Sequence, residues 1–449
     1  MFQMNNQIRG RWVFLAAVLL FTSGCGPRET AQAPEPGQEI SIYYHADDGT
    51  FDGEAYHVAP KEDLDSAVEK GKTVITFTVC SLKGYDSVYR QIANQFNNES
   101  EQFYVELTDC DYGDELRDMR TRISIEMGSG RGPDLLTEDI FPLSQEIMDS
   151  GVLVDLTPYL EASGITPEKY FPGYAAAVSG DKIYGVDPKF MVINYWVDEE
   201  VLGSREAPDL ETLVDKLLEY PERASFLGPG MRSRYILAYF LEGSEDLWGM
   251  IDWEEKTCDF TGDLFSKILE VTKRYWEDGE KGYDPVMYSF VLGMTTPISR
   301  SQSFYPGTVS IGFYFDDGSH PKYQVNGDIM MINANTQHLE GAYAFLSYVL
   351  CKSGQSFSVE PVHKEVWEAT LQVLMVAIEE GRSPLPLYEE TRKEALATFE
   401  DARFAPRRAE TILEIVYEEA ESYFEGDRSR EEVIGLIQNR VQLYLNENK

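Results

Sequence analysis

Glu138 and Asp139 are the acidic residues whose position in the chain best fits a ligand-binding role. They follow the short apolar run Leu135-Leu136, which is typical of a strand buried on both faces. In an open parallel sheet, ligands bind at the carboxyl ends of the strands, and ionised carboxylates there accept hydrogen bonds from ligand hydroxyl groups. An alternative interpretation is an ordinary helix-to-strand connection that ends in a solvated acidic turn.

The loop before this strand carries the motif GSGRGPD (128–134). Its three glycines and Pro133 must end the preceding helix in an irregular segment. A phosphate-binding loop would continue with Lys-Ser or Lys-Thr, whereas this loop leads to an acidic turn. We therefore expect the loop to place the strand rather than to bind phosphate.

The sequence offers no arrangement of residues that is typical of catalysis. It contains no G-x-S-x-G, H-E-x-x-H, P-loop or dinucleotide-binding motif, and only five histidines. Pairs of carboxylates are uninformative in a chain with 77 acidic residues. We expect no catalytic residues, no metal and no cofactor.

One stretch near the amino terminus raises the question of a metal site, because several possible ligands follow one another closely. They are His45, Asp47, Asp48, Asp52 and His57. Their spacing matches no metal-binding motif. Turns around Gly49 and Gly53 account for the aspartates equally well, since Asp side chains bond to the backbone of turns.

The chain of 449 residues has 77 acidic and 39 basic side chains, a formal charge of −38. Such an excess of negative charge repels phosphate backbones and anionic lipids, so we expect no nucleic-acid partner. The apolar content of 43% is ample for a large packed core and excludes a disordered polyacid. The length predicts two or three domains.

Residues 1–24 have the pattern of a secretory signal peptide. Arg9 and Arg11 precede the apolar run from Trp12 to Phe21, and ten residues of helix span only about 15 Å, too short for a bilayer core of about 30 Å. The segment resembles a bacterial lipoprotein signal, in which Cys25 becomes the lipidated first residue of the mature protein. Thr22 departs from that pattern, which usually has Leu there, and a plain signal peptide is the alternative.

The region after Cys25 has two parts. Residues 25–39 contain three prolines among polar residues, which is typical of an extended linker. Residues 40–71 form an amino-terminal extension of unassigned role, in which Ile40–Tyr44 has the composition of an edge strand. No later run is long or apolar enough to span a membrane.

From Thr73 onward the apolar pattern alternates between strand and helix. The predicted strands are Val74–Val79, Phe103–Leu107 and Leu135-Leu136, followed later by Ile183–Val186 and Met191–Val197. The predicted helices are 88–97, 116–127 and 143–147, the last ending at Gly151. The order β-α-β-α-β-α predicts a parallel sheet with right-handed crossovers.

Several segments resemble, in the expected order, the extracellular solute-binding proteins of carbohydrate ABC importers, the maltose-binding-protein-like group. They are QFNNES (95–100), SGRGPDLL (129–136), GVLVDLTPYL (151–160), DKIYGVD (181–187), NYWVDEEVL (194–202) and GAYAFLSYVLCKSGQ (341–355). QNRVQLYLNE (438–447) adds a weaker similarity. The match is poorest between Trp276 and Gly312.

This resemblance implies an α/β protein with the two-lobed fold of type II periplasmic binding proteins, a ligand cleft between the lobes and a helical C-terminal tail. The first lobe is expected to hold residues 72–189 and 310–358, and the second lobe residues 190–309 and 359–449. Apolar residues at helical spacing in 366–378, 396–404 and 412–424 support the helical tail.

The resemblance also implies that loops at strand ends bind the ligand, because aromatic rings cover the apolar face of a pyranose and carboxylates bind its hydroxyl groups. The candidates are Tyr85, Asp86, Glu138, Asp139, Asp187, Lys189, Phe190, Arg232, Tyr314 and Asp316. Tyr235 is an alternative to Arg232. Because carboxylates outnumber cations in this set, we expect an uncharged or weakly charged carbohydrate rather than an anion.

The function that the resemblance implies is capture of a sugar or oligosaccharide and its delivery to the permease subunits of an ABC importer. The protein is then expected to be a monomer, lipid-anchored on the outer face of the cell membrane, or periplasmic if the cell has an outer membrane. A non-transport sensor or adhesin is one alternative, since a fold does not determine a function. A surface enzyme that acts on glycans is another.

Four cysteines follow Cys25 and allow three pairings: Cys80, Cys110, Cys258 and Cys351. Cys80 and Cys110 each end an apolar, strand-like run, so they become neighbours if those strands pair. We nevertheless expect four buried thiols, because a core of this size does not need disulfides.

Overall fold

The computed structural model describes most of the chain after residue 40. The described residues are 40–49, 62–81, 88–111, 114–189, 191–220, 226, 233–276, 286–292, 307–315, 324–326, 329–357, 361–379, 392–393, 396–397, 399 and 402–447. They divide into two compact units. The first unit is Met1–Phe190 with Gly327–Glu390, and the second is Met191–Asn326 with Thr391–Lys449.

The strands in these ranges, numbered in chain order, belong to three sheets. They are β1 (Thr73–Ser81), β2 (Phe103–Asp111), β3 (Leu135–Thr137), β4 (Ala175–Ser179), β5 (Lys182–Val186), β6 (Met191–Asp198), β7 (Ile251–Asp252), β8 (Thr257–Cys258), β9 (Met287–Leu292), β10 (Thr308–Ser310), β11 (Gln324–Asn326) and β12 (Met330–Ile332). The strands predicted at 74–79, 103–107, 135–136, 183–186 and 191–197 are therefore confirmed.

The helices occupy both units. They are α1 (Leu64–Glu69), α2 (Val88–Glu99), α3 (Asp114–Gly128), α4 (Gln145–Asp149), α5 (Thr157–Ala162), α6 (Glu199–Leu202), α7 (Leu210–Glu219), α8 (Ser233–Leu241), α9 (Asp263–Tyr275), α10 (Leu339–Leu350), α11 (Lys352–Gln355), α12 (Lys364–Glu379), α13 (Glu410–Phe424) and α14 (Arg430–Glu447). Within the described ranges, none of them is both long enough and apolar enough to cross a membrane.

The first unit is built on a six-stranded sheet with the strand order β2-β1-β3-β12-β5-β4. β1 pairs in parallel with both β2 and β3, which confirms the predicted β-α-β-α-β arrangement. β12 enters between β3 and β5 and is antiparallel to both. β3 and β5 therefore run in the same direction, and their carboxyl ends lie at the same edge of the sheet.

Aromatic side chains join this sheet to α2 and α10. The ring of Phe77, on β1, lies 5.2 Å from the ring of Tyr89 on α2 and 5.7 Å from the ring of Phe345 on α10. Phe96, on α2, lies 5.2 Å from Phe345. These edge-on pairs contribute more than their buried area alone, so they fix how the two helices sit on β1.

Asp134 connects the loop before β3 to two other segments of the first unit. Its Oδ2 accepts hydrogen bonds from the backbone N–H and the hydroxyl of Thr76, both at 2.8 Å. Its Oδ1 accepts a hydrogen bond from the Thr336 hydroxyl and lies 3.3 Å from Nδ1 of His338. The side chain is buried, so these bonds are shielded from water. The loop thus places β3 against β1, as its sequence predicts.

The amino-terminal segment 40–49 forms no strand, so the edge strand predicted at Ile40–Tyr44 is wrong. The aromatic side chains of this segment pack onto helices and strand ends instead. The ring of Tyr43 lies 5.1 Å from Phe103, and the ring of Tyr44 lies 4.9 Å from Tyr348. This segment is therefore held by the packing of single aromatic rings, and not by the strand hydrogen bonds that a sequence rich in Ile and Tyr suggests.

Two of the aspartates near the amino terminus, Asp47 and Asp48, serve an ion pair and a turn in this segment. Oδ2 of Asp48 accepts a hydrogen bond from the backbone N–H of His45 at 2.7 Å. Asp47 forms an ion pair with Lys169 and lies 3.9 Å from Nζ of Lys352. Asp52 and His57 lie outside the described residues. The turn interpretation therefore accounts for Asp48, whereas the side chain of Asp47 serves ion pairs.

The boundaries of the two units differ from the predicted lobes at two places. β10 and β11 both pair with β6, so residues 310–326 belong to the second unit rather than the first. α12 belongs to the first unit rather than the second. Its Lys364 N–H donates to the carbonyl of Lys169 at 2.9 Å, and its Trp367 ring lies 5.4 Å from Phe171. The predicted crossing near residue 190 agrees with the structure.

The second unit places helices around a small antiparallel sheet. β6 pairs with β9, β10 and β11, and β7 pairs with β8 as a separate two-stranded sheet. The apolar faces of α7, α8, α9, α13 and α14 contribute to one core that also contains Phe226, Phe313 and Tyr314. Of the helical tail predicted from residue 359, the part formed by α13 and α14 therefore packs within this unit.

Candidate functional site

The register of the first sheet brings two predicted loops to one edge. Met330, at the start of β12, pairs with Thr137 on one side and with Val186 on the other. Glu138 follows Thr137 directly, and Asp187 follows Val186. Since adjacent strands lie about 4.8 Å apart, the two loops leave the sheet about 10 Å from each other. A ligand of the size of a sugar ring can contact both.

Glu138 and Asp139 stand at this edge as the sequence predicts. Both side chains are partly exposed. The backbone N–H of Glu138 donates to the carbonyl of Ile329 at 2.9 Å, which extends the β3–β12 pairing by one residue. Nε of Arg120, on α3, donates to the backbone carbonyl of Asp139. Backbone hydrogen bonds thus hold the turn, and its two partly exposed acidic side chains lie at the sheet edge.

Asp187 and Lys189 form the second loop of this edge. Asp187 is buried, and its Oδ1 accepts a hydrogen bond from the backbone N–H of Lys189 at 2.9 Å. The ammonium group of Lys189 lies 5.8 Å from the centre of the Tyr89 ring. Tyr89 itself is 3% exposed and packs edge-on against Phe77. Asp187 therefore shapes the loop, and Tyr89 supports the cation.

A third pair of residues lies near the same edge, at the end of β2. Nη2 of Arg90, on the first turn of α2, lies 2.9 Å from Oδ2 of Asp109. Asp109 pairs in register with Val79 of β1. Both side chains are partly exposed, so this ion pair contributes at most about 1 kcal/mol to stability. Its effect is to fix the start of α2 relative to β2.

Tyr314 is a predicted aromatic site residue that the structure describes in the second unit. It belongs to the second unit, where its side chain is 3% exposed and its hydroxyl donates to the carbonyl of Pro208 at 2.8 Å. Its ring lies 6.3 Å from the ring of Tyr239 in the core. Tyr314 therefore belongs to the core of the second unit, and its ligand-binding role stays a prediction from the sequence. Tyr235, also in the second unit, is 59% exposed at the start of α8.

The other predicted residues have no described position. Tyr85, Asp86, Phe190, Arg232, Asp316 and the lipidation residue Cys25 lie outside the described residues. Their ligand-binding and lipidation roles stay predictions from the sequence.

Two residues at the edge were not among the predicted site residues. Tyr89 supports Lys189. Its role was not predicted because Tyr89 lies beside Val88, Ile92 and Phe96 in a helical pattern, where a buried aromatic residue is expected for packing alone. Cys80 is the penultimate residue of β1. Its neighbours on the adjacent strand can be identified only from the pairing register of β1 and β2. The condition stated for Cys80 and Cys110 is met, because β1 and β2 pair and hold the two residues in register.

All four described cysteines are free thiols, as predicted, although only Cys110 and Cys351 are buried and the other two are partly exposed. Burial, followed by the neighbouring Cys110 thiol and the charge of Asp139, raises the pKa of Cys80. Burial likewise raises the pKa of Cys110. Neither thiol is therefore an activated nucleophile at neutral pH.

Comparison with protein-family models gave no match, and comparison with curated proteins gave none either. Solved structures do match. The chain is similar to the sugar-binding protein MalE from the phytopathogen Xanthomonas citri, with 14% identity, a TM-score of 0.53 and coverage of 84% of this chain and 98% of that chain. It is also similar to an ABC substrate-binding protein from Listeria monocytogenes in complex with cycloalternan, with 13% identity, a TM-score of 0.54 and coverage of 84% and 99%.

A third similar structure is an ABC transporter solute-binding protein from Agrobacterium radiobacter in complex with ribitol. Its identity is 13%, its TM-score is 0.56, and the alignment covers 83% of this chain and 98% of that one. Identities this low establish a common fold. The resemblance predicted from the sequence segments is thus confirmed at the level of the fold: the chain has the two-lobed α/β fold of the maltose-binding-protein-like solute-binding proteins.

Proposed function

We propose that this protein captures an uncharged sugar or oligosaccharide at the carboxyl edge of the first sheet. The observation that carries the proposal is the register of β12, in which Met330 pairs with both Thr137 and Val186. This register brings the Glu138–Asp139 turn and the Lys189 loop to one edge of the sheet. Ligands of open α/β sheets bind at this edge. The structures that share the fold include a sugar-binding protein and complexes with cycloalternan and ribitol, all compounds rich in hydroxyl groups.

The chemistry of the edge favours hydroxyl groups over anions. Glu138 and Asp139 present carboxylates, which accept hydrogen bonds from hydroxyl groups and repel negative charge. Lys189 adds a donor that can bind a ring or hydroxyl oxygen. Tyr85 and Phe190 are the sequence candidates for stacking on the apolar face of a sugar ring.

Calorimetry with alanine variants tests this site. Glu138→Ala and Asp139→Ala should each weaken binding of the preferred sugar by about ten- to a hundredfold, since a hydrogen bond to a charged group contributes about 1.5–3 kcal/mol. Glu106→Ala is the matched control, because Glu106 is an exposed acid in the middle of β2, away from the edge. It should leave the affinity unchanged. Circular dichroism would verify that each variant is folded.

The ligand panel should contain neutral monosaccharides, linear and cyclic oligosaccharides, polyols, sialic acid and short peptides. Tight binding of an anion or a peptide alone would refute the proposal. Equal affinities for Glu138→Ala, Asp139→Ala and Glu106→Ala would show that the ligand binds elsewhere. Chromatography of the sugar after incubation tests for a surface enzyme, and we expect the sugar to be recovered intact.

We further propose that the protein is tethered outside the cell through lipid on Cys25 and hands its sugar to an ABC importer. The lipoprotein-like segment that ends at Cys25 and the fold shared with ABC solute-binding proteins support this role. Uptake of labelled sugar should fall when the gene is deleted and should return with the intact gene but not with a double Glu138→Ala, Asp139→Ala variant. Unchanged uptake, with sugar binding intact, would instead indicate a sensor or adhesin.

A further inference from the structure

Cys80 and Cys110 face each other across two neighbouring strands at the edge described above. They are paired in register near the ends of β1 and β2, which run in parallel. Neighbouring strands lie about 4.7–4.9 Å apart, and in-register residues point to the same face of the sheet. Disulfides join residues whose Cα atoms are about 4.4–6.8 Å apart. The backbone therefore already holds these two residues at the spacing that a disulfide requires.

The two thiols differ in access. Cys80 is partly exposed, whereas Cys110 is buried, with 6% of its surface exposed. An external reagent can thus reach Cys80 more readily than Cys110, which is the second thiol of the pair. The remaining cysteines offer no such partner: the Cys258 thiol donates to the carbonyl of Gln438 in the second unit, and the Cys351 thiol donates to the carbonyl of Tyr348 in the first.

We propose that Cys80 and Cys110 form a reversible disulfide by exchange with a small-molecule or protein disulfide. The Cys80 thiolate attacks one sulfur of the external disulfide and displaces a thiolate. The Cys110 thiolate then attacks Sγ of Cys80, which closes the Cys80–Cys110 bond and displaces the second thiolate. The two protons lost by the protein thiols pass to the two released thiolates, and the external disulfide is the oxidant.

The surroundings of the pair make this exchange slow at neutral pH. Burial raises the pKa of both thiols, and the negative charges of Asp109 and Asp139 act in the same direction. Because only the thiolate reacts, the rate should rise about tenfold per pH unit below the thiol pKa. The proposed export of the protein would place the pair in an oxidising compartment, where disulfides persist.

Peptide mapping tests the proposal without a sugar ligand, so its outcome does not depend on the proposed function. The full chain carrying Cys25→Ala is equilibrated with oxidised and reduced glutathione at about pH 8.5, near the ordinary pKa of a cysteine thiol. It is then quenched with acid, alkylated and digested with trypsin. We expect a cross-link between the tryptic peptides 73–83 and 91–117, which carry Cys80 and Cys110. The melting temperature should rise by about 4 °C or more, since the cross-link restricts the unfolded chain.

Two serine variants serve as a matched pair. Cys80→Ser should lose both the cross-link and the rise in melting temperature, whereas Cys258→Ser should keep both. Alkylation of all four thiols even in oxidised glutathione alone would overturn the proposal. A cross-link from Cys80 to Cys258 or Cys351 would overturn it as well, because the register pairs Cys80 with Cys110 alone.

Discussion

At the scale of single residues, His363 is a histidine buried in the first unit. Its side chain is 0% exposed, and neither ring nitrogen has a hydrogen-bond partner among the described residues. Its ring packs edge-on against Tyr170 at 4.9 Å. Burial lowers the pKa of His363 to about 4, and the charge of Lys352 acts in the same direction. The charges of Glu365 and Asp47 raise this pKa, but more weakly. The charge of Lys169, like that of Lys352, lowers it.

This lowered pKa makes stability depend on pH in a defined direction. Between the ordinary histidine pKa of 6.5 and the folded value of about 4, the unfolded chain binds a proton on His363 that the folded protein does not. The free energy of unfolding therefore falls as the pH falls through this window. His363→Phe removes the effect, so its stability relative to wild type should increase by about 2–3 kcal/mol from about pH 7 to about pH 4.5.

Urea denaturation at several pH values would measure this difference. His45→Phe is the matched control, because it makes the same substitution at an exposed histidine. If His363→Phe and wild type lose stability in parallel on acidification, the neutral buried state of His363 is not supported. Acidic residues titrate in the same range, but they are common to both proteins and cancel in the comparison.

At the scale of elements, α10 is a largely buried helix in the core of the first unit. Its residues from Gly341 to Leu350 are all buried, as expected of a helix with apolar residues on every side. Gly341 lets the helix approach β1 and the start of β2. A methyl group at Gly341 would lie 2.3 Å from Cδ1 of Ile75, 2.9 Å from its Cγ1 and 2.8 Å from Cδ1 of Phe103. These contacts leave no room for any side chain.

Gly341→Ala should therefore destabilise the protein, although alanine is the better helix former. We expect a loss of about 1–3 kcal/mol, because overpacking displaces buried side chains. Gly435→Ala in α14 is the matched control: no atom lies within 4 Å of a methyl group there, and the substitution should stabilise by about 0.5–1 kcal/mol. Denaturant titration of both variants measures the contrast. Equal stabilisation by the two substitutions would contradict the close packing of α10 on β1.

At the scale of the whole molecule, the negative charge bears on how the protein can associate with a membrane. The formal charge of −38 keeps the chain from associating with anionic lipid through its surface. Stable attachment to a membrane thus requires a hydrophobic anchor. Because a single acyl chain gives only weak attachment, we expect the anchor to carry more than one acyl chain. Cys25 is the residue that the sequence offers for such a modification.

The anchor proposal predicts a clear change in fractionation. The wild-type protein should sediment with membranes and remain there at high salt, because lipid rather than charge holds it. Cys25→Ala should move the protein to the soluble fraction or leave it as an unprocessed precursor of higher mass. Cys258→Ser, which removes a thiol far along the chain, should stay with the membranes. Membrane attachment of Cys25→Ala in a processed form would show that Cys25 does not carry the anchor.

The sequence by itself determined the elements and their order. The apolar spacing between 73 and 137 predicted β1, α2, β2, α3 and β3 and thereby the parallel pairing of three strands. It also placed Glu138 and Asp139 at a strand's carboxyl end, because that position depends only on where a short apolar run stops. The same pattern placed Cys80 and Cys110 near strand ends, but the register of β1 and β2 decided that they are neighbours.

Only the tertiary structure decided which distant segments complete the sheet and the candidate site. β12 lies almost 200 residues after β3, yet it separates β3 from β5 and sets the distance between Glu138 and Lys189. The support of Lys189 by Tyr89, the packing of Tyr43 and Tyr44 without a strand, and the place of α12 in the first unit are likewise contacts between distant residues. Periodicity reports which face of an element is buried, but not which partner buries it, so these features could be read only from the packed chain.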